Sequence, residues 1–540
     1  MGNSEIHSGR RFGAVATPKL RLLAGVLTAG ATLLGCGGDG GNDMPATTTS
    51  ISPATCTELS GKTLANNTVT VLDAAIVAAT AALPEYCVVH AGFNDSTLKF
   101  EAHLPTSGWN SKLTWFGGGG FDGHFSQPTD AFLSKSIVAE KYATVATNGG
   151  YDAPADLFEW FKATFAFDAV KLADFTYLSN HRALPAAKEL ILRAYGAAAT
   201  KSYFEGCSMG GHEAMIESQR YPNDFDGIVA RAPAGSIMVF IQFNRVAKLV
   251  RTPGASLNAA KQTLLANAVL AQCDGLDGVT DGIISKPAAC TYDPAALRCA
   301  GGADTGDTCL SDAQIGTVNA VTTAITTSDG VFTHPGYYFG GENSPNGWGE
   351  YIWANPAIGD SLQGLFSDGF IRSFITRDLA YDTAQWDVNQ WLSEMSIVGS
   401  MYHAFNPDLS GLQARGAKMI VMNGATDTSV TPQDASRYYD MVVQTMGQAN
   451  ADKVLETFIE PGVGHCVGGV GPDTVDLMKA LTTWVEAGTP PSAQNLTLSK
   501  LDATTGAVTM TRPLCKYPSY PRYNGSGDVN AAGSFTCSTQ

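Results

Sequence analysis

Short runs rich in β-branched and aromatic residues alternate along this chain with stretches whose apolar residues recur every three or four positions. That alternation predicts an α/β domain built on a mostly parallel sheet. Strands are expected at Leu113–Phe116, Ala143–Thr147, Ser202–Glu205, Gly227–Ala230, Met419–Asn423 and Leu455–Ile459, and helices at Ala186–Tyr195, Gly211–Arg220, Gln433–Met446 and Thr474–Glu486. From about residue 244 to residue 410 the alternation fails. Helical pieces there surround a segment rich in Cys, Asp and Gly, followed by a stretch bearing Tyr337, Tyr338, Phe339, Trp348, Tyr351, Trp353, Phe366, Phe370 and Phe374. We expect an inserted lid, 244–410, between two parts of one core, 53–243 and 411–540. The lid's aromatic rings either line a substrate cleft or form the lid's own core.

The N-terminal end follows a different pattern. Arg10, Arg11, Lys19 and Arg21 accompany the apolar run Leu20–Leu34, which is too short to span a bilayer comfortably and predicts an export signal over residues 1–36. The run ends Leu33-Leu34-Gly35-Cys36, which resembles a bacterial lipobox whose Cys becomes the acylated N-terminus; cleavage by an ordinary signal peptidase is the alternative. Residues 37–52, rich in Gly, Asp and Thr, have the composition of a flexible tether. The chain is therefore expected to be exported, as an outer-membrane lipoprotein or as a periplasmic or secreted protein, with that lipid as its one membrane contact.

Composition narrows the function. Of 540 residues 44% are apolar, enough for a large core, and 34 Lys and Arg against 50 Asp and Glu leave a formal charge of −16, which opposes nucleic-acid binding. With Cys36 set aside ten cysteines remain, and an even count in an exported chain predicts five disulfides. Short separations suggest Cys273 with Cys290, Cys299 with Cys309 and Cys515 with Cys537. No Cys-x-x-Cys pair is present, so a zinc site is not expected.

The chemistry starts at Gly206-Cys207-Ser208-Met209-Gly210, a Gly-x-Ser-x-Gly between an expected strand and an expected helix. In that setting the glycines allow the sharp turn that lifts a nucleophilic hydroxyl above a sheet. A serine needs a base to take its proton and a carboxylate to orient the base. Asp427 follows one expected strand and His465, on a glycine-rich loop, follows the next, whereas Asp434 and Asp440 fall inside a helix and are poorer candidates. The order Ser208, Asp427, His465 is that of the α/β-hydrolase fold. An oxyanion hole would take the N–H of Met209 and a second N–H from the run Gly117-Gly118-Gly119-Gly120. Cys207 and Cys466 flank two members of this set, so folding would bring their sulfurs close. Cys273 to Ile283 places Asp274, Asp277 and Asp281 on a short glycine-bearing turn, read equally as a Ca²⁺ loop or as a solvated acidic turn.

The run Gly206-Cys207-Ser208-x-Gly210-Gly211, Asp427 and the pair His465-Cys466 resemble the arrangement of the tannase and feruloyl esterase family. So do Leu83 to Cys87, Tyr221 to Ala230 and Arg512 to Cys515. The resemblance implies an α/β-hydrolase fold with a large lid, and a serine esterase acting on esters of aromatic acids through an acyl-enzyme. It further implies Gly120 as the second oxyanion donor, disulfides Cys56–Cys87, Cys207–Cys466, Cys273–Cys290, Cys299–Cys309 and Cys515–Cys537, and a structural Ca²⁺. The ion would be held by the side chains of Asp274, Asp277 and Asp281 and the carbonyls of Val279 and Ile283. No organic cofactor is expected. Two alternatives remain at this stage: a terephthalate monoester hydrolase of the same family, and a catalytically silent, calcium-stabilised surface lipoprotein that binds a ligand. In the former a lid arginine holds the substrate's free carboxylate. Here Leu365 falls at the matching place, with Arg372 and Arg377 as possible substitutes. The pattern leaves the oligomeric state open.

Overall fold

The computed structural model describes residues 49–540; the expected export signal, Cys36 and the tether up to residue 48 lie outside them. Twelve strands precede the C-terminal hairpins: β1 Thr63–Leu64, β2 Val69–Val77, β3 Tyr86–Phe93, β4 Lys99–Pro105, β5 Lys112–Phe116, β6 Ala143–Thr147, β7 Lys201–Cys207, β8 Gly227–Arg231, β9 Ile325–Thr326, β10 Thr333–His334, β11 Lys418–Gly424 and β12 Leu455–Glu460. Ten of them form one sheet in the order β1-β2-β3-β4-β6-β5-β7-β8-β11-β12. The half from β6 to β12 is parallel, as the alternation of strands and helices requires. Its strands are buried along nearly their whole length because helices cover both faces. One face packs Leu190, Ile191, Met215 and Tyr438 against Phe204, Ile228 and Val421. The other packs Leu477, Leu481 and Trp484 against Tyr203, Ile420 and Phe458.

The antiparallel half was not foreseen. β1 to β4 form a meander that joins the parallel half where β4 pairs antiparallel with β6. β2 alternates buried with more exposed residues only at its start, as an edge region partly facing water does, and that weak signal hid it. Each expected strand is present, and the helices differ at their ends. The helix expected at Ala186 begins at Ser179, with Pro185 inside it, because the π-helical turn Asp174–Leu178 leads into it without a break. The helix expected at Thr474 begins at Leu477, where the Asp476 carboxylate accepts the Lys479 N–H and caps it.

Between β8 and β11 the chain adds no strand to the main sheet; β9 and β10 pair only with each other. This stretch packs Phe240, Trp348, Phe370, Phe374, Trp386 and Tyr402 into a core shared with Phe121 and Phe175 from the earlier part of the chain. Beyond β12, the hairpins β13 Thr497–Leu501 with β14 Val508–Pro513 and β15 Tyr520–Tyr523 with β16 Phe535–Ser538 close the chain. From β14 the buried Arg512 donates to Asp281 Oδ2 at 2.6 Å, tying the tail to the acidic turn. Five disulfides join Cys56 to Cys87, Cys207 to Cys466, Cys273 to Cys290, Cys299 to Cys309 and Cys515 to Cys537.

Candidate active site

β7 ends at Cys207, and Ser208 turns the chain into the helix Met209–Arg220 with φ 62° and ψ −116°, a left-handed backbone that side chains disfavour. The strain persists because the surroundings fix it. The Ser208 N–H donates to Arg231 O at 3.1 Å, and its carbonyl accepts the His212 and Ala234 N–H groups. Glycine is required around it: a Cβ on Gly206 would lie 2.5 Å from Gly210 O, and one on Gly117 would lie 2.4 Å from the Gly210 Cα. Backbone therefore meets backbone where the glycine loop crosses the nucleophile helix.

Asp427 follows β11, is 1% exposed, and has three donors: the N–H groups of Ser429 and Val430 at 2.8 and 2.9 Å on Oδ1, and His465 Nδ1 at 2.8 Å on Oδ2. This bond makes Nδ1 the protonated nitrogen and leaves Nε2 as the base. The His465 ring meets Tyr351 edge-on at 5.4 Å. Ser208 and His465 line the same cleft of about 430 Å³, and no hydrogen bond joins the hydroxyl to the ring among the described residues. The disulfide Cys207–Cys466, with its Cα atoms 6.0 Å apart, ties the two residues' loops together. Asp434 bonds Arg437 instead, and Asp440 accepts from Tyr517, both away from the cleft.

Gly120, at φ 59°, lines the cleft beside Met209, whose N–H opens the nucleophile helix without an intrahelical acceptor. At that helix end the dipole favours negative charge. Below the His465 loop, Glu460 ends β12 with both carboxyl oxygens buried and unpartnered, and burial pushes it up to about 8.

The lid's rings divide between the two expected roles. Of the nine lid aromatics only Tyr351 and Phe366 line the cleft. Tyr337, Phe339, Trp348, Trp353, Phe370 and Phe374 are buried in a core that the lid shares with Phe121, Phe165 and Phe175, because rings this large bury more surface against one another than at a half-open wall. Sequence reasoning missed Phe240 and Phe243, from the helix Met238–Val250, and Tyr402. The usable signal was that this apolar helix follows directly on the C-terminal end of β8, the end where Ser208 stands. The two candidate arginines face elsewhere. Arg372 bonds Tyr381 O and pairs with Asp368, while Arg377 bonds Ala166 O and Phe167 O and stacks on the Phe167 ring. Neither they nor Leu365 line the cleft, whose described wall has no Lys or Arg; Asp122, His124, Asp130 and His465 are its acids and histidines, beside the phenols of Tyr351 and Tyr402.

The acidic turn is separate from this site. Asp274 accepts the Gly282 N–H at 2.9 Å, Asp281 is committed to Arg512, and Asp277 Oδ1 takes the Val279 N–H. Asp277 Oδ2 is buried without a partner, and burial pushes the carboxyls of Asp274 and Asp277 above their usual range. Among the described residues no three acidic, His or Cys side chains converge as a metal cluster. The orphaned Asp277 oxygen is the one feature that fits a cation.

Comparison with known proteins matches this framework closely. Mono(2-hydroxyethyl) terephthalate hydrolase of Piscinibacter sakaiensis is 31% identical over 85% of this chain and 86% of its own length. A probable feruloyl esterase of Arthroderma benhamiae is 32% identical over 83% and 84%. The crystal structure of feruloyl esterase B from Aspergillus oryzae superposes with a TM-score of 0.77 at 26% identity, covering 90% of this chain and all of that one. A family model for tannase and feruloyl esterase matches residues 87–538, so that this chain belongs to the tannase and feruloyl esterase family of carboxylic ester hydrolases.

Proposed function

We propose that this enzyme hydrolyses neutral, phenolic esters of aromatic acids through an acyl-enzyme on Ser208. The reading rests on one observation: the Asp427–His465 pair faces Ser208 across an aromatic cleft without a cation in its described wall. Ser208 Oγ attacks the ester carbonyl as its proton passes to His465 Nε2, and the oxyanion accepts the N–H groups of Gly120 and Met209. His465 then gives that proton to the departing alcohol oxygen. Water attacks the acyl-serine, its proton returns through His465 to Ser208, and the aromatic acid leaves. Asp427 stays ionised throughout and holds the ring in the productive tautomer.

A free carboxylate on the acyl ring would be desolvated here with no positive partner. Phenolic hydroxyls, by contrast, would find an acceptor in Asp130, half-buried on the cleft wall. The lost charge-assisted pair should make a terephthalate monoester about ten- to a hundredfold poorer than a hydroxycinnamate or gallate ester. The test is kcat/KM for methyl ferulate, methyl gallate and mono(2-hydroxyethyl) terephthalate, beside fluorophosphonate labelling of the native enzyme and Ser208→Ala. A preference for the terephthalate monoester would overturn the substrate reading, and labelling that survives Ser208→Ala would overturn the nucleophile.

The same reading gives the acidic turn a structural Ca²⁺, held by Asp274, Asp277 and Asp281 with the carbonyls of Val279 and Ile283. It also makes the chain an exported protein anchored through Cys36. Five disulfides are what an oxidising compartment permits. No helix among the described residues is long and apolar enough to cross a membrane.

A further inference from the structure

Behind the glycine loop lies a pair of carboxyl groups that the reaction just described does not use. Asp122, 1% exposed, has no N–H or O–H donor on either oxygen among the described residues. Its carboxyl lies flat against the loop backbone: a Cβ on Gly118 would come within 1.9 Å of Oδ1, and one on Gly149 within 2.6 Å of Oδ2. The carboxyl of Glu213, on the second turn of the nucleophile helix, takes the N–H of the same Gly118, so the two acids meet at one residue and act on each other's charge. Two carboxylates cannot bond each other unless one carries a proton.

The surroundings decide which. Glu213 Oε2 accepts the Asn180 amide at 2.8 Å and the Gly118 N–H at 3.2 Å, donors that favour the anion. Asn180 is itself held, accepting Trp115 Nε1 and the Thr147 hydroxyl at 2.9 Å each. Asp122 has no such well-formed bond, and burial together with the neighbouring Glu213 raises its carboxyl well above the usual range, outweighing the Gly119 backbone that lowers it. The other ionisable groups acting on the pair are the Tyr151 and Tyr402 phenols and the Glu217 carboxyl, and the hydrogen bonds to Glu213 among the described residues come from Asn180 and Gly118, not from a lysine or arginine. His212, next to Glu213, is buried and pushed down to about 3, so it supplies no charge.

We propose that Asp122 and Glu213 share one proton and together position the oxyanion-hole segment, Asp122 donating to Glu213 while the Glu213 carboxylate fixes the Gly118 peptide that leads to Gly120. Gly118 is then held from both sides, since its carbonyl also accepts the Gly210 N–H at 2.9 Å. The inference rests on Gly120 being an oxyanion donor. Neither residue is catalytic here; they act through the loop. Loss of the shared proton in alkali sets two anions side by side in a dry site and pushes the loop from its place.

The test compares kcat near pH 7.5 with kcat near pH 9.5, by stopped assays on methyl ferulate. Native enzyme should lose about tenfold across that range, a fraction of what removing an oxyanion donor costs. In Asp122→Asn the side-chain amide still donates to Glu213 but holds no titratable proton, so its own pH 9.5 to pH 7.5 ratio should stay near one. Glu213→Ala should lower kcat about tenfold or more with little change in KM, and Glu213→Gln should recover most of that loss. An identical alkaline decline in native enzyme and Asp122→Asn, or native kcat in Glu213→Ala, would overturn the proposal. Fluorophosphonate labelling that depends on Ser208 in the same samples would show that the catalytic reading survives such a failure.

Discussion

Ser208, Asp427 and His465 stand on turns that leave β7, β11 and β12 at their C-terminal ends, whereas Phe240, Phe243, Tyr351 and Phe366 reach the same cleft from the segment that adds no strand to the sheet. Backbone fixes the first wall. Its turns are held by strand register, by donors to Asp427 and by glycines in backbone contact. Side-chain packing fixes the second, whose rings rest on a core of other rings. Errors on the two walls should therefore differ in kind: a shift of the backbone wall misplaces reacting atoms, while a change in the roof re-sizes the space above them.

The largest break of this contrast is the double replacement Cys207→Ala with Cys466→Ala. The bond spans 259 residues, and the chain-entropy model gives it on the order of 5 kcal/mol. We expect a lower melting temperature and, in addition, kcat reduced about tenfold per folded molecule, because nucleophile and base lose their direct link. Unchanged kcat in the folded fraction would make the bond purely a stabilising one. Next comes Glu460→Gln. The folded value of about 8 lies above the ordinary 4.5, so between those pH values the unfolded chain releases a proton that the folded chain keeps, and stability falls as pH rises through that window. The amide removes this penalty. The variant should match the native protein near pH 4 and exceed it by on the order of 3 kcal/mol at pH 7, read from denaturant unfolding at several pH values; an advantage that does not grow with pH would count against a buried neutral acid. The smallest effect belongs to the segment bearing the roof: chelation should lower the melting temperature by a few degrees, reversibly with Ca²⁺, and leave kcat nearly unchanged. No shift in protein shown by elemental analysis to contain calcium would remove the structural role.

The parallel half of the sheet was legible because β6, β8 and β11 are short apolar runs separated by helical periods. Ser208, Asp427 and His465 were legible because each follows such a run on a turn of small or polar residues. The meander β1 to β4 was not, since residues such as Leu72 and Asp73 interrupt its alternation where a bulge shifts the register against β3. The cleft wall was only partly legible. Phe240 and Phe370 are equally apolar in sequence and stack on one another at 4.3 Å, yet only Phe240 reaches the cleft, a difference set by the orientation of two packed helices. Asp122 and Glu213 gave no signal, because nothing in the spacing of two acids 91 residues apart says that they meet.

The contact of Gly117, Gly206 and Gly210 without intervening side chains also marks where this scaffold can be varied. Any Cβ there collides with main chain that cannot rotate away, so a mutational library at these three positions should return almost only inactive clones. Phe240, Phe243, Tyr351 and Phe366 line the cleft that holds the serine without backbone contact of this kind. Randomising those four, with the glycines untouched, samples acyl-group preference while the hydrolytic machinery stays in place, which makes the roof the productive target for redesign.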